Sequence, residues 1–209
     1  AMANRLQRAM RHLRYSGLPF EEQRAVFLAI VEADPLLAET LARVRALALP
    51  DWLVVSGALY NSIWNHLTDR PPGFGIKDVD LFYFDDADLS WEAEDVVIRR
   101  AAGHFEGLPL PVEVRNQARV HLWYPVKFGR ECPRYTSASE SVSYFASRTH
   151  AVGVRFDEGG ALELVAPFGL DVIFSFRITP NRALDNQHTH EAKGRRAREY
   201  WPEISVVPW

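Results

Sequence analysis

Apolar and polar positions follow two rhythms along this chain, and the change of rhythm divides it. From Asn4 to Leu49 the apolar residues recur at helical spacing. Leu6, Met10 and Leu13 mark a first segment. Pro19 and the acidic pair Glu21-Glu22 open a second helix running to about Glu32. Asp34-Pro35 starts a third, carrying Leu36, Leu37, Leu41, Val44 and Leu47, and Pro50 stops it. From Asp51 to Asn116, apolar runs of strand length alternate with helical stretches. Trp52-Leu53-Val54-Val55 reads as a buried strand, Ser56-Gly57-Ala58 breaks it, and Leu59 to Leu67 returns to helical spacing. Lys77-Asp78-Val79-Asp80-Leu81-Phe82-Tyr83-Phe84 is a second strand, placed just after the Pro/Gly loop Arg70 to Gly75. Ser90 caps a helix bearing Trp91, Val96, Val97 and Ile98, and Pro111 to Asn116 is a third strand. The rest predicts a helix near Ser139–Ser147, strands around Ala151–Phe156 and Leu162–Val165 joined by a Gly159-Gly160 hairpin, and a last helix from Asn181 to Tyr200. This is a mixed α and β pattern with a helical extension at residues 1–50 and an α/β domain over residues 51–209.

The second strand carries the chemistry. Asp78 and Asp80 are one residue apart, so on a strand they share a face. At ~4 Å and an effective dielectric of ~20, two such charges repel by ~4 kcal/mol. A pair of this kind is solvated, shares a proton or binds a cation. Oxygens aimed at one point suit a hard divalent metal such as Mg2+. Upstream, the strand–Ser56-Gly57–helix junction is a natural anion site, because backbone amides and the helix dipole both favour phosphate there. Downstream, Glu113 stands between valines and faces away from them, on the side of Arg115.

Each of these features has a plainer reading. Asp-x-Asp alone is a solvated strand start. Glu113 and Arg115 alone are a surface ion pair of little worth. Asp85, Asp86 and Asp88 read as a solvated turn. His66, His104 and His121 read as structural, and His188-x-His190 as part of a loop without metal. Lys193, Arg195, Arg196 and Arg198 read as a solvated helix face, and Trp91 with Phe82, Tyr83 and Phe84 as core.

Taken in order, the pieces resemble the nucleotidyltransferase superfamily of DNA polymerase beta. They resemble in particular a bacterial group known only as nucleotidyltransferase-like. The resemblance runs from about Asp51 to Asn181 and rests on Gly57-Ala58-Leu59-Tyr60-Asn61, on Lys77 to Asp85, on Val112 to His121 and on Ala166-Pro167-Phe168-Gly169-Leu170-Asp171. It implies an α+β fold with a polymerase beta-like core, a mixed sheet with flanking helices. It also implies a two-metal transfer of a nucleoside monophosphate from a nucleoside triphosphate to a hydroxyl, with release of pyrophosphate. In that scheme Asp78, Asp80 and Glu113 are the catalytic and metal residues for Mg2+ or Mn2+. Ser56, Gly57 and Ala58 hold phosphates, Lys77 touches phosphate, and Arg115 either serves the triphosphate or orients Glu113. The acceptor stays open between protein, RNA and a small molecule. Three departures stand out: Ser56-Gly57-Ala58 in place of Gly-Ser or Gly-Gly, a longer separation of Gly57 from Asp78, and Glu in place of the commoner third Asp. The extra length lies in the Pro/Gly loop, which could form a lid or an acceptor-binding loop.

Composition narrows this picture without redirecting it. A formal net charge of −3 gives no broad nucleic-acid surface. One cysteine, Cys132, rules out an intramolecular disulfide and a cysteine-based zinc site. No apolar run reaches spanning length and no signal-type segment opens the chain, so the expected location is the cytoplasm, with no membrane partner. Two rival readings remain: a nucleotide-binding or regulatory protein on the same fold without turnover, and an interaction protein whose acidic cluster is only a surface patch.

Overall fold

The computed structural model describes residues 1–209. Helices α1 (Met2–Ala9), α2 (Phe20–Ala33) and α3 (Pro35–Leu47) open the chain. They are followed by β1 (Leu53–Val55), α4 (Gly57–Leu67), β2 (Val79–Tyr83), α5 (Trp91–His104), β3 (Val112–Asn116), α6 (Val120–Phe128) and α7 (Ala138–Val142). Strands β4 (Gly153–Phe156) and β5 (Leu162–Val165), helix α8 (Asp171–Phe174), β6 (Arg177–Ile178), α9 (Gln187–Tyr200) and β7 (Ser205–Val206) complete it. The boundaries have local causes. The Asp34 carboxylate accepts from the amides of Leu36 and Leu37 at the head of α3, where Pro35 lacks a donor to lose. Ser90 caps α5 through the Ala93 amide at 3.1 Å. The β4–β5 hairpin turns at Gly160, whose φ of +83° suits glycine.

Five strands form one mixed sheet in the order β3-β2-β1-β4-β5. Strands β2 and β3 run parallel, joined through α5, and the other pairs are antiparallel. Alternation gives the sheet two unlike faces. Val54, Val79, Leu81, Val114 and Val154 belong to the main core, which also takes in Phe27 and Val31 of α2, Leu37, Leu41 and Val44 of α3, and Leu59, Ile63 and Trp64 of α4. The opposite face carries Leu53 and Val55, packed with Ala138 and Val142 of α7 and with Phe82 and Phe145. Asp80 and Glu113 share this second face, because Val55 pairs with Asp80 and Asp80 with Glu113. The carboxylates therefore stand outside the main core.

Helix α9 is docked firmly, which fixes what it presents. Trp201, fully buried, lies 5.7 Å from Trp64 and donates from Nε1 to Asn65 Oδ1 at 2.8 Å. His190 contacts Ser147 Oγ at 2.6 Å and the Val207 carbonyl at 2.8 Å. A Cβ at Gly194 would meet Val206 at 2.9 Å, so a small residue lets α9 lie close to β7. No helix is long and apolar enough to cross a membrane.

Several expectations are corrected. His190 is a buried structural residue of α9, not part of a loop. Trp91 is 61% exposed at the first position of α5, outside the core. The helix expected near Ser139–Ser147 is the shorter α7, while α6 was not expected, since Pro125 inside it breaks the helical pattern. The Pro/Gly loop is packed at its C-terminal end against α4 and α9. Its Phe74 carbonyl accepts from Asn65 at 2.8 Å, its Gly75 carbonyl from Arg196 at 3.0 Å, and a Cβ at Gly75 would strike Trp201 at 2.7 Å.

Candidate active site

Strand β1 ends where β2 and β3 begin, and the three termini meet the start of α4. Asp78 immediately precedes β2, Asp80 is its second residue, and Glu113 is the second residue of β3. Their carboxylate oxygens lie within 4.8 Å of one another. The same-face spacing of the aspartates and the outward turn of Glu113 thus bring three acids to one point, as the sequence leads one to expect.

The cluster is electrostatically tense. The Asp80 carboxyl is pushed up to about 6, first by burial, then by the charge of Asp78; the charge of Glu113 and a hydrogen bond to it act in the same direction. Lys193 opposes them. Glu113 is anchored by Arg115, whose Nη2 donates to Oε1 at 3.0 Å; both side chains are nearly half exposed, at 47% and 42%. The Arg115 of the sequence expectation therefore touches Glu113 directly.

At the other wall is the turn into α4. Ser56 is buried with φ of +63°, a region that a non-glycine residue occupies only under constraint. No side chain caps α4, so its first amides are left for another partner. A Cβ at Gly57 would meet nothing closer than 3.6 Å. A side chain there would fit the fold and intrude only on the cleft. Asn61, one turn along, is buried and its Oδ1 has no hydrogen-bond partner.

Two cavities flank the acids. The smaller, of about 230 Å³, is lined by Gly57, Asn61, Lys77, Asp78, Lys193 and Arg196 among others. The larger, of about 320 Å³, lies on the Glu113 side and is walled by aromatic rings of α6 and of the Tyr135–Phe145 stretch. Asp80 and Lys193 border both. Lys193 departs most from the sequence expectation. It is solvent-exposed, as a solvated face requires, and it also borders both cavities. Desolvation by the surrounding walls pulls its ammonium pKa down, while Asp80 and Asp78 pull it back up. It makes no ion pair or hydrogen bond within the chain, so its donors are free for a ligand. Its spacing was the available signal: Lys193 lies three residues after buried His190 and four before buried Ala197, on the flank of the packed stripe.

Three converging carboxylates, one of them pushed toward its neutral form by burial and by the charges of the others, fit a hard divalent cation bound through oxygen. The fold, a five-stranded mixed sheet with flanking helices, is a polymerase beta-like core, the fold of nucleotidyltransferases. Residues 42–206 match the family model described as Nucleotidyltransferase, and the chain belongs to that family. A solved structure described as an NMR structure that reveals a CCA-adding enzyme head domain is similar over 88% of this chain and 95% of that one. The TM-score is 0.70 at 24% identity, a likeness of fold. No curated protein matches the chain.

Proposed function

We propose that the protein transfers a nucleoside monophosphate from a nucleoside triphosphate to a hydroxyl acceptor and releases pyrophosphate. The observation that carries this reading is the convergence of Asp78, Asp80 and Glu113 beside the uncapped start of α4. In this reading residues 51–209 form the catalytic domain and residues 1–50 a helical extension that packs onto it.

The smaller cavity takes the triphosphate. Gly57 lines it and, with Ala58 next in the chain, offers backbone amides at a helix N-terminus; Lys77, Lys193 and Arg196 neutralise phosphate charge, and Ser56, which borders the larger cavity, adds its hydroxyl from that side. Asp78, Asp80 and Glu113 hold Mg2+ or Mn2+, which when bound would neutralise the acid cluster and stabilise charge on the entering and leaving oxygens. Arg115 keeps Glu113 aimed at the cleft. The acceptor oxygen approaches from the Glu113 side and bonds to the α-phosphorus. The bond to the β-phosphate oxygen breaks, pyrophosphate departs through the smaller cavity, and the hydroxyl proton passes to Glu113. Binding energy from the phosphates positions the reacting centre.

The test is calorimetry of each common nucleoside triphosphate with Mg2+, on wild type and on the Asp78→Asn/Asp80→Asn double variant. It is followed by pyrophosphate release from labelled triphosphate in the presence of cell extract. Metal-dependent binding lost in the double variant, together with release in the wild type, is the expected result. Unchanged binding in the double variant would overturn the site. Binding without release, across all triphosphates and a broad acceptor screen, would make the protein a nucleotide-binding regulator.

A further inference from the structure

The larger cavity is chemically odd for its position. Beside three carboxylates, roughly half of its lining is hydrophobic, and much of that is aromatic. Tyr124 and Phe128 lie with ring centroids 4.6 Å apart, Tyr135 and Tyr144 5.4 Å apart, and Lys127 stands over both Trp123 and Phe128. Flat walls of this kind suit a flat guest. Polar groups are set among them. His150 is buried and its Nδ1 has no hydrogen-bond partner, and Asn186 and Thr189 border the same space. A phenyl or phenol ring gives such groups little to bond along its edge, whereas a nitrogen heterocycle does. The volume, about 320 Å³, is at the low end of small-molecule sites, enough for one ring system and its attached sugar.

We propose that this cavity is the acceptor site and that it selects a nucleoside-type acceptor, a planar heterocycle of nucleobase size whose sugar hydroxyl is delivered to Glu113. The inference rests on the nucleotidyl-transfer reading, which places the triphosphate in the other cavity and the acceptor on the Glu113 side. The ring lies between the aromatic side chains of α6 and those of the Tyr135–Phe145 stretch. The sugar points toward the carboxylates. A free nucleoside and the single-stranded end of a nucleotide chain present this same chemistry, whereas a base-paired end exceeds the cavity.

The probes are adenosine and cytidine, with ribose and N-acetyltyrosinamide as controls. Binding is followed by saturation-transfer NMR on wild-type protein, with and without saturating Mg2+ and a non-hydrolysable triphosphate analogue. Base protons of the nucleosides should show transfer in both conditions, and the controls should show none. Trp123→Ala, which removes one wall, and Leu184→Trp, which fills the space, should each weaken nucleoside binding at least about fivefold, the low end of a lost stacking contact. Both should hold the analogue within about twofold of wild type, and circular dichroism identifies any variant that does not fold. Absence of nucleoside binding, equal transfer to either control, or nucleoside affinity untouched in both folded variants overturns the proposal. So does an equal loss of analogue and nucleoside affinity, which would put the donor base in this cavity. Failure of the wild type to bind the analogue while nucleosides still bind would remove the transfer reading and leave the cavity's selectivity standing.

Discussion

Asp80 of β2 and Glu113 of β3 are direct partners in parallel register, one residue into each strand. Adjacent parallel strands hold paired side chains close on the same face, so the sheet itself forces two like charges together. Nothing in the loops can relieve the contact, and the approach is a fixed property of the fold.

The burial of Asp80, together with the charges of Asp78 and Glu113 beside it, has a thermodynamic signature. The Asp80 carboxyl has its folded pKa raised from 3.8 to about 6. Below about 4 both folded and unfolded states are protonated and no penalty exists. As pH rises from about 4 to 6 the unfolded state ionises first, so the folded state loses stability, and above about 6 the loss is complete. At ~1.36 kcal/mol per pKa unit the full cost approaches ~3 kcal/mol. Asp80→Asn should therefore stabilise the metal-free protein at pH 7.5 by about 1–3 kcal/mol, with a gain that shrinks toward zero near pH 4. Urea unfolding of both proteins across that range is the measurement. A constant difference at all pH values would show that ionisation of the buried Asp80 carboxyl is not its source.

Lys193 should matter for ligand binding more than for folding. Its ammonium is unpaired, faces both cavities and is held by a helix docked through Trp201 and His190. Lys193→Met should weaken triphosphate affinity about ten- to a hundredfold, the range of a hydrogen bond to a charged group. Lys193→Arg should recover part of the loss. Calorimetry at two salt concentrations is the check, and wild-type affinity in Lys193→Met would return this residue to the solvated face first assigned to it.

The order of the main elements was readable because each carries its own punctuation: Asp34-Pro35 and Ser90 at helix starts, valine-rich runs for strands, and Gly159-Gly160 at the hairpin. The acid cluster was readable for a related reason, since period-two alternation fixes which face Asp78, Asp80 and Glu113 take once the strands are placed. What stayed hidden depends on contacts distant in sequence. Lys193 meets Asp78 and Asp80 across more than a hundred positions; its spacing from His190 and Ala197 sets it beside the packed stripe of α9, but nothing local says that this flank borders a cleft. The aromatic wall was hidden behind Pro125, which breaks the helical rhythm of α6 although the helix forms around it. The β6–β7 pair, two residues in each strand, is too short to leave a pattern at all.

The parallel β2–β3 pair is also braced from the side. Glu94 of α5 accepts from the Asn116 amide at 2.8 Å and from Arg119 at 3.0 Å, with the two charged side chains only 8% and 11% exposed. Removing Arg119 leaves a buried carboxylate without its counter-charge. Arg119→Met should destabilise the protein by about 3–5 kcal/mol, whereas replacing the pair together with Glu94→Gln should cost much less. Chemical denaturation of wild type, single and double variants gives the coupling. A single variant as stable as the double would mean that the pair is not effectively buried in solution.

Glu113→Gln separates binding from chemistry. The substitution keeps shape and nearly all volume, and the pair it dissolves with Arg115 is half exposed, so stability should change by no more than ~1 kcal/mol. Asp78 and Asp80 remain beside the triphosphate cavity, so affinity for the triphosphate with Mg2+ should stay within about threefold of wild type. Pyrophosphate release should fall on the order of a hundredfold or more, because the lost charge acts on the acceptor side, where stabilisation is needed in the transition state rather than in the ground state. The pattern expected is therefore a collapse in turnover beside a nearly unchanged binding isotherm. Turnover that survives the substitution would show that Glu113, although aimed at the same point as the aspartates, is not the third functional carboxylate. An equal loss of binding and turnover would mean that all three acids act together on the nucleotide, and that the division of labour between the two cavities is wrong.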